Sequence, residues 1–281
     1  MQPTTTNKGL SGYALKYLAA LFMLLDHIHY IFNFTGKIPL FFSWAGRLAS
    51  PIFLFCIVEG FIHTHDRKKY FLRIYLLSIL MGLIHFSFYN ISSGLVREDG
   101  FFPQNQMLSS FALLLVVLQG ISWGQARQWG KGLTAILLPL LLPFIFLFLF
   151  GISAGSPAIM FGLNLLSFTV LPLHTAIADG GTITLILGSL LYLFYKNRHK
   201  QATVFVITCI LWDIVRVVLL IPDLTVTAFF AQLYEWMEIF AVVPMLCYNG
   251  TRGTGSKPFF YWFYPVHIYL LFALSCILYG V

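Results

Sequence analysis

The chain has 281 residues, 59% of them hydrophobic and 17% aromatic, with only 10% charged and a mean hydropathy of +0.83. A soluble domain of this length needs far more polar surface, so composition excludes a water-soluble fold. The formal net charge of +7 sits mostly in short loops beside apolar runs, a pattern of membrane orientation and not of nucleic-acid binding.

Apolar stretches close to the length needed to cross about 30 Å of hydrocarbon recur from end to end. In chain order they cover 13–34, 44–63, 70–89, 106–123, 133–151, 158–175, 182–195, 202–220, 229–248 and 259–279. The sequence predicts an all-α polytopic helical bundle of about nine or ten transmembrane helices, forming a single integral membrane domain over 1–281. Met1 to Gly12 is polar and short, and Lys8 and Lys16 flank the start of the first run. This start reads as an uncleaved signal anchor.

The sixth run is the irregular one. Pro157, Gly162, Asn164, Pro172, His174, Asp179, Gly180 and Gly181 crowd breakers and polar groups into one stretch. Irregular backbone at membrane depth is tolerated only against protein or a wet cavity. The loop charges bear on the same point. If all ten runs cross, seven Lys/Arg flank the spans on each side and there is no bias. If 158–181 enters and returns, twelve lie on the amino-terminal side and only Lys37 and Arg97 on the other. The positive-inside rule favours the second arrangement. A broken or re-entrant segment near 158–181 is therefore expected, with nine net crossings and a cytoplasmic N-terminus.

The first two runs carry ionisable residues that a purely structural span would lack. Asp26, His27 and His29 interrupt the first, and Arg47 and Glu59 lie in the second. Such groups cost from roughly 3 to more than 10 kcal/mol each at the bilayer centre, so they are kept where they pair or line a polar cavity. Adjacent helical residues point about 100° apart, so Asp26 and His27 form no dyad with each other. Asp26 is expected to neutralise Arg47 on the next helix. That leaves His27 to face a cavity, where a neutral imidazole could take a proton from an attacking amine or hydroxyl. A backbone-bonded or interfacial His27 is the bland alternative.

Counted from the span ends, Asp26, His27, His29, Arg47 and His85 fall toward the outside, and Glu59, His63, Arg73 and His267 toward the cytoplasm. Glu59 and His63 are four apart and share a helix face, which allows a latch or a pair that orients a donor. Asp213 with Arg216, and Glu235 with Glu238, recur three apart and read as an ion-pair network between two helices. Two loops could hold phosphate. Thr64 to Lys69 contains Arg67, Lys68 and Lys69. Asn249 to Lys257 combines glycines with Arg252 and Lys257, although it is not a P-loop. Cys56, Cys209, Cys247 and Cys276 are dispersed through apolar segments, reading as small buried hydrophobes, and no metal site is expected.

Leu25-Asp26-His27-Ile28, Gly46-Arg47-Leu48-Ala49-Ser50-Pro51-Ile52-Phe53 and Val58-Glu59-Gly60-Phe61 are followed by Thr64 and Arg67-Lys68-Lys69-Tyr70. Gln104-Asn105, Ala178-Asp179 with Gly181, Tyr248-Asn249-Gly250 with Arg252-Gly253, and Phe260-Tyr261-Trp262-Phe263-Tyr264-Pro265-Val266-His267 complete the series. In this order, and over most of the chain, the set resembles the TraX family, membrane proteins associated with N-terminal acetylation of F-type pilin. The departures are His29, where the family commonly has Gly, and Gly180, where it has an aromatic or aliphatic residue.

The resemblance implies a multi-span acyltransferase that draws acyl-CoA from the cytosol, in the inner membrane. It points to Asp26, His27, Arg47, Glu59, Asp179, Asn249, Arg252 and His267 as site residues. The expected reaction moves an acetyl group from acetyl-CoA to an amine or hydroxyl of a peptide or small-molecule acceptor. His27 would be the base, with Asp26 and Arg47 beside it. Arg67, Lys68, Lys69, Asn249, Arg252 and Lys257 would hold the CoA, and His267 or Glu59 would assist near the thioester or support the tunnel. His63, Asp179 and Tyr264 would support the substrate. Membrane lipids are expected partners and nucleic acid is not. A transporter using the buried charges as a permeation path, or a non-catalytic assembly partner, are the competing classes.

Overall fold

The computed structural model describes residues 8–90, 96–175, 180–220 and 234–280. These residues form α1 (Gly12–Phe32), α2 (Phe41–Gly46), α3 (Ala49–His63), α4 (Arg67–Asn90), α5 (Met107–Gln125), α6 (Trp129–Ile152), α7 (Pro157–Phe168), α8 (Gly181–Leu193) and α9 (Arg198–Leu220). A 3-10 helix (Glu235–Ala241) then leads into α10 (Val242–Leu246), and α11 (Lys257–Tyr279) follows. Six stretches among the described residues are long and apolar enough to cross a membrane: α1 with the turn after it, α2 with α3, α4, α5, α6 and α11. The chain is an all-helical polytopic membrane protein. Apolar side chains such as Leu137, Leu141, Phe144 and Phe148 are exposed along α6, as a lipid-facing helix requires.

The chain divides into two compact units, one of Met1–Glu59 with Leu193–Leu271 and the other of Gly60–Tyr192 with Phe272–Val281. The boundaries fall inside α3 and α11 and at the end of α8, not in linkers. In the first unit α2 packs on α1, and the 3-10 helix and α10 pack on α9. Leu15, Ile31, Ile52, Phe55, Phe205, Met245 and Ile268 are fully buried there. In the second unit α4, α5 and α6 pack in sequence and α7 lies against α4 and α6.

Local chemistry sets the entry of α1. The Ser11 side chain accepts from the Ala14 N–H at 3.2 Å, capping the helix. The first helical N–H groups of Gly12 and Tyr13 donate to the carbonyls of Thr251 and Arg252 at 2.8 and 3.0 Å. Leu10 and Tyr248 form a short parallel bridge beside them. The loop before α11 therefore closes over the start of α1. Gly253 makes this possible: its φ is +70°, and a side chain there would overlap Ser11.

These contacts fix direction. Tyr17 packs at a tilt against Phe259 and Phe260 near the starts of α1 and α11, and His27 meets His267 further along both. The two helices run parallel. Arg198, opening α9, pairs with Glu59 near the end of α3 at 3.0 Å and lies over the Tyr248 ring. The start of α1, the end of α3 and the starts of α9 and α11 thus share one face. A chain leaving that face after α3 and returning at α9 crosses an even number of times. With one crossing each for α4, α5 and α6, which are long and apolar enough to span, an even count leaves one for α7 and α8 together. Their 12 and 13 residues span only about 18–20 Å each, with non-helical backbone over 169–175. The break expected near 158–181 is present. It joins two half-length helices instead of forming a self-contained loop ahead of a full span at 182–195.

An even count between α3 and α9, with α1 and α11 parallel, favours an odd total. In a cysteine-free background, single cysteines replacing Asn197 and Thr254 are expected to react with a membrane-impermeant maleimide from the same side of sealed vesicles. A cysteine at Lys37 should react from the other side. Opposite labelling at 197 and 254 would exclude this topology.

Candidate functional site

Asp26 and His27 sit in the last two turns of α1 and face different neighbours. Arg47, immediately after α2, places Nη2 2.7 Å from Asp26 Oδ1. Ser43 donates to the same carboxylate oxygen at 3.2 Å and lies 3.4 Å from the Tyr234 hydroxyl. Arg47 Nε donates to the Ser43 carbonyl, and its guanidinium stands over the Tyr234 ring. Gly46 lets α2 come this close, because a Cβ there would overlap the Asp26 side chain. The ion pair is the one the sequence pointed to. Ser43, Gly46 and Tyr234, which complete it, were not foreseen.

His27 is 5% exposed and His267 6%. Nδ1 of His27 lies 2.6 Å from Nε2 of His267, with the rings 18° from parallel. His267 Nδ1 in turn lies 2.5 Å from the Phe263 carbonyl oxygen. The Phe263 ring stacks on that of His267 at 13°, and the His267 and His27 rings meet edge to edge in nearly the same plane. This corrects one expectation. His267 is not in a separate layer with Glu59 but at the depth of His27. One ring nitrogen of His27 is engaged by His267, a partner the sequence did not indicate. Tyr264 is buried one turn away, its ring 6.3 Å from that of His267.

Glu59 is buried and its carboxylate is engaged by Arg198, which also donates to Gln201 at 2.6 Å and covers the Phe55 ring. The reading of Glu59 with His63 did not anticipate this partner. His63 itself is exposed at the end of α3. Arg216 of α9 reaches Glu235 of the 3-10 helix at 3.4 Å and Asp213 at 3.9 Å, the inter-helix ion network expected from their spacing.

The basic loops are placed as follows. Arg67 donates to Ser122 at 2.9 Å and Gln119 at 3.4 Å and covers the Phe61 ring, so it ties α4 to α5. Lys68 and Lys69 are exposed. Lys69 pairs with Asp66 at 3.2 Å, and the Lys69 backbone N–H, donating to Asp66 at 2.9 Å, holds that carboxyl below its usual range. Asn249 accepts from the Thr251 N–H and hydroxyl and donates to the Gly9 carbonyl. Arg252 donates to the Tyr13 hydroxyl at 3.2 Å, and Lys257 is exposed. In this loop Gly253 and Gly255 serve close packing against Ser11 and Tyr13, and it is carbonyls that point at the α1 N-terminus. Asp179 lies outside the described residues.

A buried imidazole pair beside an intramembrane ion pair, on helices that traverse a polytopic bundle, defines an integral membrane protein with a polar site inside its helices. The family model for TraX protein matches residues 11–275, and the chain belongs to the TraX family. It is also 26% identical, over 94% of its length and 96% of the relative's, to a Dichelobacter nodosus protein. That relative is named "Probable fimbrial assembly protein FimC, serogroup H1". No solved structure matches the chain.

Proposed function

We propose that this protein is a membrane-embedded acetyltransferase that moves an acetyl group from cytosolic acetyl-CoA to an amine or hydroxyl of an exported or membrane-accessible acceptor. The observation that carries the reading is His27, an imidazole buried within a membrane bundle, hydrogen-bonded to a second histidine and next in sequence to the Asp26–Arg47 pair. Ionisable groups held at such depth are functional by default. The acceptor nitrogen or oxygen attacks the thioester carbonyl carbon and passes its proton to His27. The C–S bond breaks, and the CoA thiolate takes the proton from the imidazolium. Arg252, in the loop before α11, and the exposed Lys257 at its start offer cations for the CoA phosphates.

The twelve-to-two distribution of loop cations under the same-face topology supports a reading with the start of α1 in the cytoplasm and the protein in the inner membrane. Acetyl-CoA is made on that side. The relative's name supports an exported fimbrial subunit or similar peptide as acceptor. The test is acetyl-CoA consumption by detergent-purified protein supplied with peptide amines. CoA release above the hydrolytic background is expected, in proportion to acetylated peptide by mass. Absence of both turnover and CoA binding would remove the enzyme reading in favour of a transporter.

A further inference from the structure

We infer that the break between α7 and α8 is a second polar site, built from residues of the second unit alone, and that it takes the carboxylate of an amphipathic ligand entering from the lipid. Nothing in it depends on acetyl transfer. The break carries His174, which is 5% exposed. Its Nδ1 lies 2.9 Å from the Thr182 hydroxyl, on the second residue of α8. Its Nε2 is buried and has no hydrogen-bond partner among the described residues. A polar atom buried in that state is uncommon in a native fold and calls for a reason. Gly181, which opens α8 with a φ of +54°, brings the helix start onto this residue. A Cβ there would stand 3.2 Å from the His174 carbonyl oxygen.

α8 begins inside the bundle and not at a membrane surface. Leu173, next to His174, is buried against Leu142 and Phe146, well inside α6. A helix leaves its first N–H groups without intrahelical partners, and its aligned peptide dipoles place roughly half a positive charge there. Half-helices that begin at membrane depth turn this end toward anionic groups of a ligand. The unpartnered Nε2 and the helix start therefore call for the same thing, an acceptor with negative charge. A carboxylate meets both. It selects the tautomer in which Thr182 donates to Nδ1 and Nε2 carries the hydrogen. One negative charge suits the site, since no Lys or Arg hydrogen-bonds to His174 or Thr182 among the described residues. Thr175 and Gly180 are exposed, so His174 lies just below the surface. Leu166, Val170 and Leu171 ahead of it and Ile186 in α8 are exposed as well. A carboxylate that reaches this depth past such side chains carries an apolar tail. Residues 176–179 lie outside the described residues, and no part of the site is drawn from them.

The probe is decanoate, with decanol as its uncharged counterpart, added to full-length 15N-histidine-labelled protein in phosphatidylcholine nanodiscs. The His174 signals are assigned by their loss in His174→Gln. Decanoate should move the His174 Nε2 resonance saturably toward the hydrogen-bearing state, and decanol should leave it in place. Binding of radiolabelled decanoate, corrected for empty nanodiscs, is then compared between variants. His174→Gln keeps a donor where Nε2 stands and should bind within a few-fold of wild type. His174→Asn keeps only the group that faces Thr182 and should bind about 10- to 100-fold more weakly, the usual loss for a hydrogen bond to a charged group. Thermal unfolding is followed for each variant, and if His174→Asn does not fold, the wild-type titration decides alone. Equal shifts with decanoate and decanol would mean that only the tail partitions. No shift up to the solubility limit of decanoate would mean that Nε2 holds water. Displacement of decanoate when phosphatidylglycerol replaces part of the phosphatidylcholine would assign the site to a lipid phosphodiester. Each of these three results overturns the inference. None of the measurements reads acetyl transfer, so the role of His27 stands or falls separately.

Discussion

Replacing His27 with Ala should lower the rate of acetyl transfer by about 10²- to 10⁴-fold, the usual contribution of a positioned general base. The amine or hydroxyl would still reach the thioester, because nothing in the substitution blocks the bundle. It would lose the group that takes its proton as the new bond forms. The loss should fall on kcat, with the KM for acetyl-CoA within a few-fold of wild type, since the cations proposed for CoA lie at the start of α11 and in the loop before it, away from His27 in sequence. The substitution also leaves the buried His267 Nε2 without its His27 partner, at a cost of about 1–3 kcal/mol. Thermal unfolding in detergent should be followed beside turnover. A folded His27→Ala protein that releases CoA at a rate within a few-fold of wild type would remove His27 from the chemistry.

The charges of the first two helices were legible in the sequence because the bilayer leaves them few solutions. Asp26 and Arg47 sit one span apart and neutralise each other most simply on adjacent helices. The break after α7 was equally readable, since Pro172, Gly180 and Gly181 cannot continue a lipid-exposed helix. The His267 contact was not. It joins residues 240 positions apart, and nothing in a linear pattern ranks His267 above His63 or His85 as a partner. Counting residues from span ends also misjudges depth. His27 lies fifteen residues into α1 and His267 ten into α11, a difference of about 7 Å at 1.5 Å per residue. The stagger of the two helices absorbs it.

The loop before α11 misled for another reason. Glycines that would let N–H groups cradle a phosphate also let carbonyls close over a helix start. Sequence does not separate the two uses. Likewise the run 44–63 read as one helix, whereas α2 ends at Gly46. Arg47 follows that end, which gives its guanidinium a fixed approach to Asp26.

Asp26→Ala should be among the most destabilising substitutions in the first unit. It leaves the Arg47 guanidinium inside the bundle without its carboxylate, and a buried pair broken on one side costs about 3–5 kcal/mol. The pair here is not sealed, with side chains 20% and 30% exposed, so the lower end of that range applies. Arg47→Ala should cost a similar amount. The double variant should lose less than the two singles together, because removing both charges leaves neither uncompensated, and the cycle should return a coupling of about 1–3 kcal/mol. Stability regained in the double variant should not restore turnover, since the pair anchors α2 beside the helix carrying His27. Exchanging the charges, with Asp26→Arg and Arg47→Asp together, separates electrostatics from packing. It preserves the charge balance but puts a long side chain where Gly46 leaves room only for a short one. The exchanged protein should unfold at a lower temperature than the double alanine variant. A swap that matched wild type in both unfolding temperature and turnover would mean that charge alone holds Asp26 to Arg47 and that Gly46 plays no part.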